Sequence, residues 1–362
     1  MATISKAKLE IYIYTGVAGE RPSDPQYTLE KSLIPDEEII VFEVAELVKD
    51  YIDVYFDGDY DTIKQTAWVD FDITRTFDDD SIDTLTKRAI AFLGYGEFKD
   101  GINPTLSTSF LASNTYFYID CGKRAYIPVY VSTDGTYKVE YFKGNTSLIA
   151  YKIGGSVTDI SIDSRGVKID NTTDNYRISQ VSIRTADSTL FQEQKEVPPE
   201  SDKVIVTSPN GTTETRYIRC LKECKYTPHR VSFLNKFGVM QDLWFFKRRD
   251  DSFEAERDDY KRSILNIGST GVSYSQYDHS KQATDVRASE MLKMNTGFIT
   301  EDHNEVIKQL MVTEHCWIHQ DGDITPVVPK TTSFQEKKEV NEKLIDFTVE
   351  FTIANNYIQD IR

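Results

Sequence analysis

Three observations predict a mainly β chain, a multi-domain β-sandwich architecture with one or two short packed helices. Apolar and polar residues alternate with period two in many segments, the longest at Leu344–Ile353, where Ile345, Phe347, Val349, Phe351 and Ile353 share one face. The 21 Tyr and 19 Phe, against only 11 Pro and 18 Gly, favour strands over disorder. Between Tyr226 and Arg249 the run YTPHRVSFLNKFGVMQDLWFFKRR reads as a β-hairpin, with Arg230–Leu234 and Val239–Lys247 flanking Asn235–Gly238. Asn in first place and Gly in fourth suit a type I turn, and Pro228, with no amide hydrogen, can open the first strand but not sit inside its ladder.

Taken in order, the chain opens with a strand at Leu9–Tyr14, where Leu9, Ile11 and Ile13 alternate with Glu10, Tyr12 and Tyr14. Short strands follow at Tyr27–Leu29 and Ile39–Phe42. From Glu43 the spacing turns helical, with Val44, Leu47, Val48, Tyr51 and Ile52 recurring at three and four. Ala67–Thr74 alternates again, and Gly94 and Gly96 favour a bulged strand over a helix at Arg88–Phe98. The turn-like stretch Lys99–Pro104 ends a first domain, residues 1–104, a β domain with one short helix. Seven short strands at close spacing follow: Thr115–Asp120, Ala125–Ser132, Tyr137–Phe142, Leu148–Ile153, Val157–Ile162, Val167–Ile169 and Arg177–Arg184. Their frequent turns read as an immunoglobulin- or fibronectin-like sandwich over residues 105–197.

The polar segment Gln192–Lys203, with Pro198 and Pro199, reads as a linker into a third domain, residues 198–362. There Val204–Thr207 and Thr215–Cys220 flank an Asn210-Gly211 turn and precede the central hairpin. Ser252–Ala288 is polar and fits no pattern. Met291–Phe298 is apolar again, and Thr300 reads as the N-cap of a helix to Met311, with Glu301 and Asp302 at its positive end and Val306, Ile307 and Leu310 as its buried stripe. Strands at Glu314–Ile318, Pro326–Phe334 and Leu344–Ile353 complete a sheet-plus-helix domain.

The length of 362 residues supports two or three self-sufficient cores. With 42 Lys and Arg against 58 Asp and Glu, the net charge of −16 repels phosphate backbones and anionic lipid, so no nucleic-acid partner and no membrane is expected. Met1–Leu9 has no apolar run of signal-peptide length, and no segment reaches the roughly 20 apolar residues of a membrane span. Cys121, Cys220, Cys224 and Cys316 are too sparse for a disulfide framework and read as free thiols.

Chemistry-bearing patterns are weak. Cys220 and Cys224 with His315, Cys316 and His319 are the best metal candidates, yet His315 and His319 would stand about 13 Å apart along a strand. Small buried thiols and partly exposed histidines are the plainer reading. The acidic runs at Asp57–Asp61, Asp78–Asp80 and Asp321–Asp323 complete no calcium-loop pattern and read as solvated turns. No Gly-rich phosphate loop, Gly-x-Ser-x-Gly elbow or compact triad motif is present. No catalytic, cofactor-binding or metal-binding residue is therefore assigned, and a non-enzymatic protein without cofactor is expected.

The run Val231–Arg248 (VSFLNKFGVMQDLWFFKR), with PQYTLEK at Pro25–Lys31 and FEVAELVKDYI at Phe42–Ile52, resembles virion structural proteins of tailed bacteriophages. The closing pattern of capped helix, Trp317 strand, Pro-containing segment and LIDFTVEFTIANNY is similar to the sheet-plus-helix domains of tail-tube, distal-tail and baseplate subunits. The resemblance covers both ends of the chain and leaves residues 113–200 unmatched. It implies a structural subunit of a tail, baseplate or neck, made in the host cytoplasm, homo-oligomeric as a ring and partnered by other virion proteins. The abundance of Tyr, Trp and carboxylates keeps open an alternative, a carbohydrate-binding or carbohydrate-cleaving β-protein.

In the hairpin's second strand, Leu243 and Phe245 point one way while Trp244 and Phe246 point the other. A strand in a two-layer domain needs one apolar face, and leaving two large side chains wet would forgo roughly 3 to 6 kcal/mol. These four residues are the interface candidates. One pair is expected to pack outside its own sheet's core, at a domain or subunit junction, unless the helix near Thr300–Met311 covers it.

Overall fold

A computed structural model describes residues 4–14, 20–35, 40–52, 54–58, 66–100, 110–121, 125–131, 137–153, 177–183, 201–208, 210–269, 271–320, 322–331, 344–355 and 357. The chain is mainly β. Strands β1 (Ile4–Tyr14), β2 (Tyr27–Ser32), β3 (Thr66–Phe77) and β4 (Ile82–Phe92) form an antiparallel sheet in the order β2-β1-β3-β4. Helix α1 (Ala45–Lys49) lays Val48 onto it, beside Ile11, Ile13, Ala67 and Val69. Asp70, 1 % exposed, faces Arg88 across the β3–β4 ladder and accepts two guanidinium hydrogen bonds at 2.6 and 2.9 Å, which offsets the cost of burying its charge. Residues 40–42 are not a strand, and the strand expected at Arg88–Phe98 begins earlier, at Ile82, and stops before the glycines.

The second sheet contains β5 (Tyr116–Asp120), β7 (Tyr137–Lys143), β8 (Thr146–Ile153), β10 (Lys203–Thr207) and β11 (Thr213–Leu221), in the order β5-β11-β10-β7-β8, while β6 (Ala125–Val131) and β9 (Arg177–Ile183) pair with each other. This sheet crosses the boundary expected at 197/198. Lys203–Thr207 pairs antiparallel with Lys138–Phe142, and Tyr217–Leu221 runs parallel to Tyr116–Asp120. The proline-rich composition marked a stiff, polar connection, but ladder partners are non-local and composition does not register them. Ser201 is already buried. The strands expected at Val157–Ile162 and Val167–Ile169 lie outside the described residues.

The third sheet has seven strands: β12 (His229–Leu234), β13 (Met240–Phe245), β14 (Arg249–Lys261), β17 (Lys281–Asn295), β19 (Cys316–Gln320), β20 (Asp323–Pro329) and β22 (Thr348–Ile353), in the order β13-β12-β19-β20-β22-β17-β14. Two small pairs accompany it, β15 (Leu265–Gly268) with β16 (Gly271–Tyr274), and β18 (Ile299–Thr300) with β21 (Leu344–Ile345). Helix α2 (His303–Val312) covers one face with Val306, Ile307 and Leu310, against Val231, Phe233, Ile318 and Phe351. The helix starts two residues later than the Thr300 cap would place it. Asp302 is the N-cap residue, and its carboxylate accepts the backbone N–H groups of Thr115 (2.5 Å) and Tyr116 (3.1 Å), tying the start of β5 to α2.

The turn between β12 and β13 is a three-way contact. Gly238 donates its N–H to the Asn235 carbonyl at 2.9 Å and has φ +71°, a type I turn closed by a left-handed residue. It also abuts the N-terminal sheet's exit: Tyr95 donates its N–H to the Lys236 carbonyl at 2.9 Å, and a Cβ on Gly238 would lie 2.7 Å from Leu93 backbone atoms. Gly238→Ala is expected to destabilise the chain by at least about 2 kcal/mol in urea titration. Gly144→Ala, with φ +57° but open space around it, should cost about 1 kcal/mol, and equal costs would argue against the tight contact.

Candidate functional site

The four interface candidates lie in one wall between two cores. Leu243 and Phe245 face α2 within the C-terminal core, where the Phe245 ring meets Phe351 edge-on at 5.8 Å. Trp244 and Phe246 face the opposite way, into the core of the five-stranded sheet with Phe110, Phe117, Tyr141 and Val204. Exposures of 5, 6, 0 and 2 % for residues 243 to 246 leave none of them accessible to another subunit. The second pair does pack outside its own sheet's core, at a junction inside the chain, and helix α2 accounts for the first. Trp244 places its indole N–H where no acceptor among the described residues reaches it, beside a small hollow lined by Asn114, Gln241, Asp242 and His303.

The face of the hairpin turned from α2 also carries a polar cluster of half-buried side chains around the buried Ser232. Register sets Arg230 beside His319 and Ser232 beside Asp242. Arg230 donates to His319 Nδ1 at 2.8 Å, and because a guanidinium has no acceptor, Nδ1 must be the unprotonated nitrogen. His319 therefore carries its proton on Nε2 and donates it to Ser232 Oγ at 2.7 Å, while Ser232 donates to Asp242 Oδ1 at 2.5 Å. Ser, His and Asp are together, but in the wrong order for a triad: the imidazole is a donor to the hydroxyl, not its base. Ser232 is fully buried, and the Phe56 ring packs edge-on to His319 at 5.8 Å. Burial, and then the Arg230 charge, push His319 down to about 3.

The cysteines differ from the expected free thiols. Cys121 and Cys220 form a disulfide with Cα atoms 5.2 Å apart, because the parallel pairing of β5 with β11 makes neighbours of residues 99 positions apart. Cys224 is free and exposed, and Cys316 is free and buried, with its thiol pushed up by burial. His315 stacks on Trp317 instead of meeting His319, and no cluster of three metal-ligating side chains occurs among the described residues. At the β3–β4 turn Asp79 accepts from the Ser81 amide (3.0 Å) and hydroxyl (2.5 Å), a self-contained turn.

The feature that sequence reasoning missed is an arm. The segment left unassigned at Ser252–Ala288 forms most of β14 and β17, antiparallel over their whole length, with the β15–β16 hairpin at the far end. β22 pairs with β17 only along Met291–Asn295, so from Glu290 outward the two strands have no other sheet neighbour among the described residues. Every residue of β14 after Arg249 is exposed. Phe253–Lys261 alone spans about 30 Å. Along it stand exposed rings and aliphatics: Phe253 (56 %), Tyr260 (48 %), Leu265 (58 %), Ile267 (87 %), Tyr274 (66 %) and Tyr277 (93 %).

No protein-family model matches this chain, and no curated protein matches it.

The half-buried imidazole of His319 has a pH consequence. Its folded pKa of about 3 lies below the unfolded value near 6.5, so the stability it contributes is complete above about pH 6.5 and is lost as pH falls toward 3. The urea midpoint should drop between about pH 6.5 and 4.5. His319→Gln, which cannot take up that proton, should flatten this part of the curve; identical slopes in both proteins would refute the assignment.

Proposed function

We propose that the chain is a structural subunit of a tailed-phage virion, in its tail, baseplate or neck, working through protein–protein interfaces. The observation that carries this reading is the arm. A monomer gains little by holding a two-stranded ribbon about 30 Å into water with exposed rings and no partner among the described residues on either outer edge, since isolated ribbons are marginal and open edges invite pairing. Such a device is favourable where another protein covers it. The resemblance of Val231–Arg248, and of the closing helix and strands, to virion proteins of tailed phages supplies the kind of assembly. The sealed Ser232 cluster adds support, because a hydroxyl committed to Asp242 and closed off from solvent offers no nucleophile.

Peptides of the chain should appear in stoichiometric amount in gradient-purified particles of the phage that encodes it. Replacing residues 256–287 by an Asn-Gly turn should leave the melting temperature nearly unchanged while blocking incorporation. Absence from particles, or saturable glycan binding with no protein association, would overturn the reading.

A further inference from the structure

The arm's tip is amphipathic. β15 and β16 pair so that Leu265 faces Tyr274 and Ile267 faces Val272, which puts all four on one side, while Asn266 and Ser273 take the other. The four are 58, 66, 87 and 64 % exposed in that order. Behind the tip, β14 offers an edge with no ladder partner among the described residues, bearing Asp250, Asp251, Glu254, Glu256, Asp258 and Asp259 against Arg249, Arg257 and Lys261. Asp250, Asp251, Glu254 and Asp258 have ion-pair partners in Arg248, Arg249, Lys330 and Arg287. Symmetric pairing of two arms along this edge is poorly matched in charge. Centred on Ala255 it sets Asp251 against Asp259 and Glu254 against Glu256; centred on Glu254 it offsets the pairs Arg249–Asp259 and Asp251–Arg257 with Glu254 against itself and Asp250 against Asp258. A cationic surface complements the edge better.

The outer face of the five-stranded sheet carries Lys138, Lys203 and Arg219 against Glu140 and Asp120, a small positive excess in a chain of net charge −16. Lys203, Tyr217 and Tyr116 are side by side across β10, β11 and β5. The two tyrosines stack at 5.1 Å, the Arg219 guanidinium lies 5.4 Å over Tyr116, and the Lys203 ammonium lies 5.1 Å over Phe142. Cations resting on rings keep their charge available to an incoming carboxylate. Arg219 and Tyr217 are both exposed.

We propose that the arm of one copy docks across this face of a second copy, β14 carboxylates against Arg219 and Lys203, carrying the apolar tip onto the same neighbour. The proposal rests on the reading that the chain works through interfaces, and names the partner as itself. One face of arm plus tip, about 45 Å by 10 Å, covers roughly 450 Å², so each arm-to-sheet contact buries roughly 900 Å² over both partners, the size of a weak contact that depends on its charges. Two copies that exchange arms close as a two-fold dimer, and head-to-tail docking gives a ring where its rotation closes.

Sedimentation velocity on the full chain, at low and high salt, tests this. Wild type should associate at low salt and dissociate as salt rises. Lys203→Glu with Arg219→Glu should weaken association by more than about tenfold at unchanged melting temperature, and Glu254→Lys with Glu256→Lys in the same chain should restore it. If the sheet variant melts early, the arm variant alone, remote from every core, serves in its place and should also lose association. A wild-type monomer at every concentration and salt overturns the proposal, as does association that survives the charge reversals. Recovery of the chain from purified particles in either case leaves the subunit reading standing, which separates the two failures.

Discussion

A strand with two apolar faces must be covered twice, and β13 imposes that constraint on the whole chain. Leu243 and Phe245 belong to one core, Trp244 and Phe246 to another, and each such side chain contributes about 1.5 to 3 kcal/mol by leaving water. Met240, on the same face as Trp244, packs with Leu234, Phe56 and Leu93, so the N-terminal segment meets the hairpin as well. The turn completes the junction backbone to backbone, since a Cβ on Gly94 would lie 2.6 Å from the Lys236 carbonyl oxygen. Three sheets meet at one hairpin, and no two of them can be repacked independently of it.

The buried side-chain amides inside that junction are satisfied in chains instead of being exposed. Asn235 donates to the Leu111 carbonyl (2.7 Å) and to Gln241 (2.9 Å), and Gln241 donates to Asn114 (2.9 Å). These bonds join the hairpin to the segment that leads into β5. Buried amides can be satisfied in few arrangements, so they select one register where apolar packing alone tolerates several. The Arg230–His319–Ser232–Asp242 cluster acts in the same way across β12, β13 and β19. Its chemistry is that of a latch, in which Arg230 donates to His319, His319 to Ser232 and Ser232 to Asp242.

Local features were legible in the sequence. Asn235 and Gly238 announce their turn because turn geometry depends on four consecutive residues, and Ile345, Phe347, Val349 and Phe351 announce a buried face because each is at most 4 % exposed. The opposed pairs at residues 243 to 246 also told of two layers, though not which layers. What was hidden is non-local or lacks a period. Cys121 and Cys220 meet only through a parallel pairing, and the sheet that makes them neighbours runs across residues 197/198. The arm was hidden for the opposite reason: a ribbon with no buried face has no hydrophobic alternation to detect. Asp302 looked like a charge serving its own helix, whereas its carboxylate serves the Thr115 and Tyr116 amides.

The order β5-β11-β10-β7-β8 also sets a timetable for synthesis. The N-terminal sheet is complete in sequence once Phe92 has emerged, and its strands can pair at once. Strand β5 has no such option, because its ladder partner β11 follows about a hundred residues later. At translation rates of about 5 to 20 residues per second, Phe117 and Ile119 wait roughly 5 to 20 s for their neighbours. During that interval their core faces are apolar and their edges open, so the middle of the chain is where a nascent copy is most exposed to mispairing with another on the same message.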